Sequence, residues 1–246
     1  MRVGAILFLF LFSLSVPVAA DNAINVAVAS NFTSTAKLIA TRFHDATGVS
    51  VQLSSGSTGK LYAQIVHGAP YHVFLAADVE RPRLLEHSGM AVTGSRFTYA
   101  VGSLVVYSIS ATDCLAALGD RDGGYVAIAN PLTSPYGKAA RQYLEAAGLW
   151  GAVSGRAAFG ENISQTLQFA ATGNASIGIV ARSHLRGDEL PEAACLYEVP
   201  GDTHEALEQQ AVLLDSDQQG AAAFLDFLRS EQARRIIVQD GYGAPE

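Results

Sequence analysis

Ser54-Ser55-Gly56-Ser57-Thr58-Gly59 sets four hydroxyls and two glycines into six consecutive residues. The stretch follows an alternating apolar run, Val49 to Leu53, and precedes a helical pattern, Leu61 to Val66, so it reads as a strand-to-helix turn. A helix start presents unpaired backbone N–H groups and a partial positive charge. Glycine lets backbone approach a ligand closely, and Ser and Thr add short donors. That is the chemistry of an oxyanion site. A Walker-type phosphate loop would need Gly where Ser54 stands and Ser or Thr where Leu61 stands. The expected guest is therefore a small free anion rather than a nucleotide.

Three more junctions carry compact polar groups where helices begin: Ser30-Asn31 before Phe32, Pro135-Tyr136-Gly137, and Asn162-Ile163-Ser164. In open α/β sheets, ligands bind beyond the carboxyl ends of the strands, where such junctions lie. Ordinary helix capping is the simpler reading of Ser34, Ser55 and Ser164. Lys60, Lys138 and Arg182 each follow a junction or strand end. A lysine one residue into an exposed helix is ordinarily solvated, so ligand contact is not assigned to these cations. Catalytic signals are thin. Gly-x-Ser-x-Gly is absent, and His44, His67, His72, His87, His184 and His204 are scattered without a metal-ligand spacing. Asp78 and Glu80 read as helix-start charges. No catalytic residue, bound metal cation or cofactor is expected.

The elements that position these junctions alternate between strand and helix. Strands are expected at Ile24 to Ala29, Val49 to Leu53 and Val73 to Ala77, with helices at Phe32 to Ala46, Leu61 to Val66 and Val79 to Ser88. Tyr99 to Tyr107 reads as one long extended segment able to cross between lobes. A second series follows: strand Val126 to Ala129, helix Tyr136 to Ala147, strand Ala157 to Phe159, helix Ser164 to Ala171 and strand Ile177 to Val180. Leu196 to Val199 reads as the return crossing, Gln210 to Leu214 as a strand, and Gln218 to Val238 as mostly helical. The fold class is α/β. Two lobes are expected, each a mixed, mostly parallel sheet flanked by helices, with a ligand cleft between them. Residues 21–99 and 201–246 form the first lobe, and residues 100–200 the second.

Composition and address narrow the function. Arg2, the apolar run Ala5 to Leu14 and Val18-Ala19-Ala20 have the order of a secretory leader, residues 1–20, cleaved after Ala20 to leave Asp21 first. The formal charge is −7 with no basic run, which excludes long-range anion attraction and argues against nucleic acid as a partner. An anion site here must work through locally aimed dipoles. Cys114 and Cys195 are either one disulfide or two buried thiols, a choice that depends on their separation in space.

Several of these stretches together resemble one family. Ala27-Val28-Ala29-Ser30-Asn31-Phe32, the Ser54 to Gly59 stretch, Tyr62-Ala63-Gln64-Ile65-Val66, Gly68-Ala69-Pro70-Tyr71 and Gly94 to Ala100 are similar to the periplasmic molybdate-binding proteins of ABC importers. The resemblance resumes at Asn130-Pro131, Pro135-Tyr136-Gly137 and Gly241-Tyr242, in order along the whole mature chain. It implies a type II-like, two-lobed periplasmic binding protein, monomeric by default, that closes on molybdate or tungstate and delivers it to a membrane permease. The implied oxyanion contacts are Ser30, Asn31 and Thr58 from the first lobe, and Tyr136 and Ile163 from the second. Ser57 and Asn162 are secondary candidates. Only the backbone amide of Ile163 can serve. Some relatives supply a tyrosine hydroxyl after the strand matching Ile177 to Val180, where this chain has Ala181, so the Tyr136 hydroxyl becomes the substitute donor. Sulfate or phosphate is the alternative ligand, with an exported hydrolase or a divalent-metal binder as more distant alternatives.

Overall fold

A computed structural model describes residues 23–186 and 191–244. The expected leader, its cleavage after Ala20 and the new terminus at Asp21 lie outside the described residues.

The first half of the chain builds β1 (Ile24–Ala29), α1 (Thr33–Thr47), β2 (Val51–Gly56), α2 (Thr58–Val66), β3 (Val73–Leu75), α3 (Glu80–His87), β4 (Phe97–Gly102) and β5 (Leu104–Ser108). A 3-10 turn, Ser30–Phe32, leads into α1. Next come α4 (Cys114–Gly119), β6 (Val126–Ala129), α5 (Pro135–Ala146), α6 (Trp150–Val153), β7 (Ala157–Gly160), α7 (Ile163–Ala171) and β8 (Ile177–Ala181). The chain ends with β9 (Cys195–Glu198), β10 (Leu207–Leu213), α8 (Gln219–Arg229) and α9 (Glu231–Gln239). Helix ends follow local chemistry. Gly48 and Gly148, at φ 75° and 69°, stop α1 and α5 in the left-handed conformation that glycine adopts without strain. The single helical run expected after Gln218 is divided, because Ser230 takes an extended conformation and its Oγ caps α9 by accepting from Ala233 N.

Two five-stranded sheets result, ordered β2-β1-β3-β10-β4 and β7-β6-β8-β5-β9. In the first, β10 pairs antiparallel with both neighbours while β2, β1 and β3 are parallel. In the second, β5 pairs antiparallel with both neighbours while β7, β6 and β8 are parallel. Each lobe thus has a mixed sheet with a single reversed strand in the same place. Tyr99 to Tyr107 is extended and crosses between the lobes as expected, in two strands: β4 belongs to the first sheet, β5 to the second, and Ser103 alone separates them.

Each sheet buries its own core. Ile24, Val26, Phe32, Ile39, Phe43 and Phe224 pack in the first lobe, and Leu104, Val106, Ile128, Leu144 and Ile177 in the second. Each such side chain contributes about 1.5–3 kcal/mol of transfer free energy. The two cysteines are joined, with Cα atoms 5.7 Å apart, linking the start of α4 to the start of β9 within the second lobe.

The hydroxyl-rich stretch differs from the expected turn. Parallel pairing carries β2 as far as Gly56, opposite Ala29, and α2 opens at Thr58, so only Ser57 lies between them. The neighbouring strand β1 extends the ladder through residues whose own β preference is weak.

Candidate functional site

All four junctions meet along the seam between the lobes. Gly59 N donates to Thr133 O at 2.8 Å, joining the β2–α2 junction to the β6–α5 junction. A Cβ on Gly59 would lie 2.9 Å from that same oxygen, so glycine is what permits the approach. Ser164 Oγ donates to Ser30 O at 3.2 Å, joining the β7–α7 junction to the β1–α1 junction. Ser30, Asn31, Ser57, Thr58, Tyr136 and Ile163 are all buried there, none more than 5% exposed. Two cavities flank the seam. One, of about 270 Å³, is bordered by Asp78, Arg81, Ser134, Lys138 and Glu205. The other, of about 580 Å³, is bordered by Ser30, Ser55, Ser164, Ser183 and His184.

The helix starts of the second lobe leave few donors free. In α7, Asn162 Oδ1 accepts from Ser164 N and Gln165 N at 3.0 and 3.1 Å, and Thr166 N reaches Asn162 O. The amide of Ile163 is the one left over, with no partner among the described residues. In α5, Pro135 has no N–H, Gly137 N bonds Ser134 Oγ at 3.3 Å, and Lys138 N bonds Ser134 O. Tyr136 N is left over in the same way. Proline at the first helical position and an Asn or Ser cap therefore aim one amide from each helix.

First-lobe donors are side chains as well as backbone. Ser57 occupies the N-cap position of α2 but makes no capping bond, and its Oγ is buried without a hydrogen-bond partner among the described residues. A buried hydroxyl left unpaired costs free energy, and an anion would relieve it. Thr58 Oγ1 accepts from Ala77 N at 3.1 Å, which leaves its own hydrogen to give. Both hydrogens of the Asn31 amide are committed, to Gln209 Oε1 at 2.8 Å and Tyr242 Oη at 3.2 Å. Asn31 therefore offers its backbone rather than its side chain.

Capping explains Asn162, but not the serines assigned to it. Asn162 already caps α7, so Ser164 Oγ is released to cross the seam. Separately, Ser55 Oγ pairs with Thr33 Oγ1 at 2.7 Å. The cations are spoken for. Lys60 meets Glu161 across the seam at 3.1 Å, Lys138 meets Glu205 at 2.8 Å, and Arg182 meets Glu198 at 2.7 Å. Arg81 pairs with Asp78, whose carboxyl is raised by burial against the pull of that guanidinium. His184 sits 3.4 Å from Ser30 O, and burial lowers its pKa, favouring the neutral imidazole. Burial holds the Tyr136 and Tyr99 phenols well above their ordinary range, so both stay protonated donors. The seam thus presents neutral donors beside paired charges. Among the described residues no group of three His, Cys, Asp or Glu is arranged to hold a metal ion, and no helix is long and apolar enough to cross a membrane.

Three residues outside the expected contacts complete the site: Gln209, and Tyr99 and Tyr242, which the sequence marks only within Gly94 to Ala100 and Gly241-Tyr242. Gln209 is fully buried on β10 and hydrogen-bonds Asn31, Tyr99 and Tyr136. Its signal was the pair of adjacent glutamines, Gln209-Gln210, directly before the apolar run Ala211 to Leu213, where the ladder register shifts between them. Such a bulge re-aims side chains.

Residues 24–243 match a family described as bacterial extracellular solute-binding protein. A molybdate-binding protein, ModA, of Rhodobacter capsulatus is 41% identical over 246 residues, covering 98% of this chain and 96% of that protein. The protein of the same name from Azotobacter vinelandii is 44% identical over 225 residues, covering 89% of each. A solved periplasmic molybdate-binding protein of Azotobacter vinelandii superposes with a TM-score of 0.84 at 35% identity, covering 91% of this chain and 100% of that one.

Proposed function

The chain belongs to the bacterial extracellular solute-binding protein family, and on that premise we propose that it captures molybdate between its lobes and presents it to the permease of an ABC importer. The observation that carries the reading is the donor set. Single free amides at Ile163 and Tyr136 and an unpartnered Ser57 hydroxyl are gathered in a buried seam whose neighbouring cations are paired. Such a set suits an oxyanion and offers little to a metal cation.

The contacts are Ser30, Asn31 and Thr58 from the first lobe and Tyr136 and Ile163 from the second, with Ser57 adding its hydroxyl. Burying an unpaired dianion is prohibitive, so its oxygens must meet donors in nearly every direction. Each hydrogen bond to a charged group contributes roughly 1.5–3 kcal/mol, and five to seven of them support sub-micromolar affinity after association costs. Tungstate has the same charge and shape and binds in the same way. Sulfate has shorter bonds, so a site fitted to molybdate leaves it with stretched contacts. The protein acts as a monomer in the periplasm, by binding and release without covalent chemistry.

A thermal-shift panel tests this. Molybdate and tungstate at micromolar concentration should raise the melting temperature, since ligand at a hundred times Kd contributes about 2.7 kcal/mol. Sulfate and phosphate should act only at millimolar concentration. Sulfate or phosphate outranking molybdate would reassign the ligand, and a shift given by zinc or manganese alone would overturn the oxyanion reading.

A further inference from the structure

A hydrogen-bonded chain runs from the C-terminal segment to the seam, and its donors have one consistent direction. Tyr242 has a single hydroxyl hydrogen. Its 2.7 Å contact is with the backbone carbonyl of Asn31, which only accepts, so the hydrogen is spent there. The Asn31 side-chain atom 3.2 Å from the same phenol oxygen must then donate, which makes it Nδ2. Turning that amide over would set two carbonyl oxygens against Tyr242 Oη with one hydrogen to share. The second Nδ2 hydrogen goes to Gln209 at 2.8 Å, so Gln209 presents Oε1 to Asn31. Tyr99 Oη, 3.1 Å away, faces the same oxygen. Gln209 Nε2 is left facing Tyr136 Oη at 3.0 Å, and donates to it. Tyr136 therefore accepts from Gln209 and keeps its own hydrogen, which has no acceptor among the described residues.

We infer that Gln209 is a positioning residue for oxyanion capture: by donating to Tyr136 Oη it obliges that hydroxyl to aim its hydrogen at the bound anion. The inference rests on Tyr136 being a ligand contact in the function proposed above. Gly102 makes room for the pair, because a Cβ there would come within 2.1 Å of Tyr136 Oη and 2.9 Å of Gln209 Nε2. Burial supports it, since the Tyr136 phenol stays protonated. The chain has a consequence for selectivity. A hydroxyl that can only give a hydrogen accepts a fully deprotonated oxyanion and rejects one whose facing oxygen carries a hydrogen, as monohydrogen phosphate does.

The test is a double-mutant cycle on molybdate affinity, read by calorimetry on ligand-free protein. Tyr136→Phe and Gln209→Met should each weaken binding about tenfold, the loss expected for one hydrogen bond to a charged group. The double variant should be no weaker than Tyr136→Phe alone, because both changes remove the same aimed hydrogen. Competition with phosphate adds a readout that mere loosening would not move. In Gln209→Met the preference for molybdate over phosphate should shrink, as Tyr136 regains the freedom to accept. Tyr242→Phe, which frees the chain at its origin, replaces Gln209→Met if that variant does not fold, and should show the same non-additivity. Losses that multiply to about a hundredfold, or single variants that bind like the wild type, would overturn the inference while leaving the oxyanion reading intact. Failure of wild-type protein to bind any oxyanion would remove that reading and this inference with it.

Discussion

The two lobes are built to one plan and equipped in opposite ways. Each sheet places a single reversed strand beside its third parallel strand, β10 in the first lobe and β5 in the second. From Leu104 to Tyr107, β5 is buried, and its one side-chain polar atom there, the Tyr107 hydroxyl, donates to Pro191 O within the same lobe. In the matching place β10 buries Gln209 and Gln210 at a register shift, and Gln209 reaches across to the other lobe. The second lobe, without a polar strand, supplies its donors from two helix starts trimmed by Pro135 and Asn162 to one free amide each. The lesson is that two copies of one topology can divide the work of holding an anion. The first lobe brings hydroxyls, backbone and the Gln209 network, and the second brings two helix-start amides whose direction cannot vary, together with the Tyr136 hydroxyl on which that network acts.

The sharpest way to break that contrast is to remove backbone from the second lobe. Asn162 is already extended, at φ −151° and ψ 173°, and Ile163 is the first helical residue, so proline fits at Ile163 without straining the fold. Ile163→Pro should weaken molybdate binding by about 10- to 100-fold, whereas Ile163→Ala, which keeps the amide, should change it by less than about threefold. Equal losses in calorimetry would show that the side chain, not the amide, matters. For the first lobe the corresponding change is Thr58→Ala, expected to cost about tenfold, with Thr58→Ser restoring most of it because the hydroxyl returns. The smallest effect belongs to the ion pairs at the rim. Lys60→Ala and Lys138→Ala should alter affinity by no more than about threefold, as exposed pairs contribute little. A large, salt-dependent loss in either would mean that positive charge, and not neutral donors, holds the anion.

How much of this was readable beforehand follows from the range of each interaction. The junctions at Ser30, Thr58, Tyr136 and Ile163 were legible because capping residues, proline and strand ends leave local marks. Gln209 left almost none, since its partners lie 178, 110 and 73 positions away. The Ser54 to Gly59 stretch looked like a loop because serine and glycine are weak strand formers, yet pairing with β1 drew half of it into the sheet. Ser164 was assigned to capping because nothing local reveals that Asn162 takes that role alone. The disulfide stayed undecided for the same reason, as proximity across 81 positions is a property of the folded lobe.

The position of β10 also dictates an order of assembly. A chain made from its N-terminus produces β1, β2 and β3 early, but the strand that must lie against β3 begins only at Leu207. Between them the whole second sheet, from β5 to β9, is synthesised without interruption and holds every strand it needs to close on itself. The second lobe can therefore mature while the first still has an open edge at β3, and the first sheet closes only when β10 arrives. An unpaired parallel edge waiting through so many residues is the point at which nascent chains would stick to one another, and shielding it is a task for whatever accompanies the chain until β10 arrives.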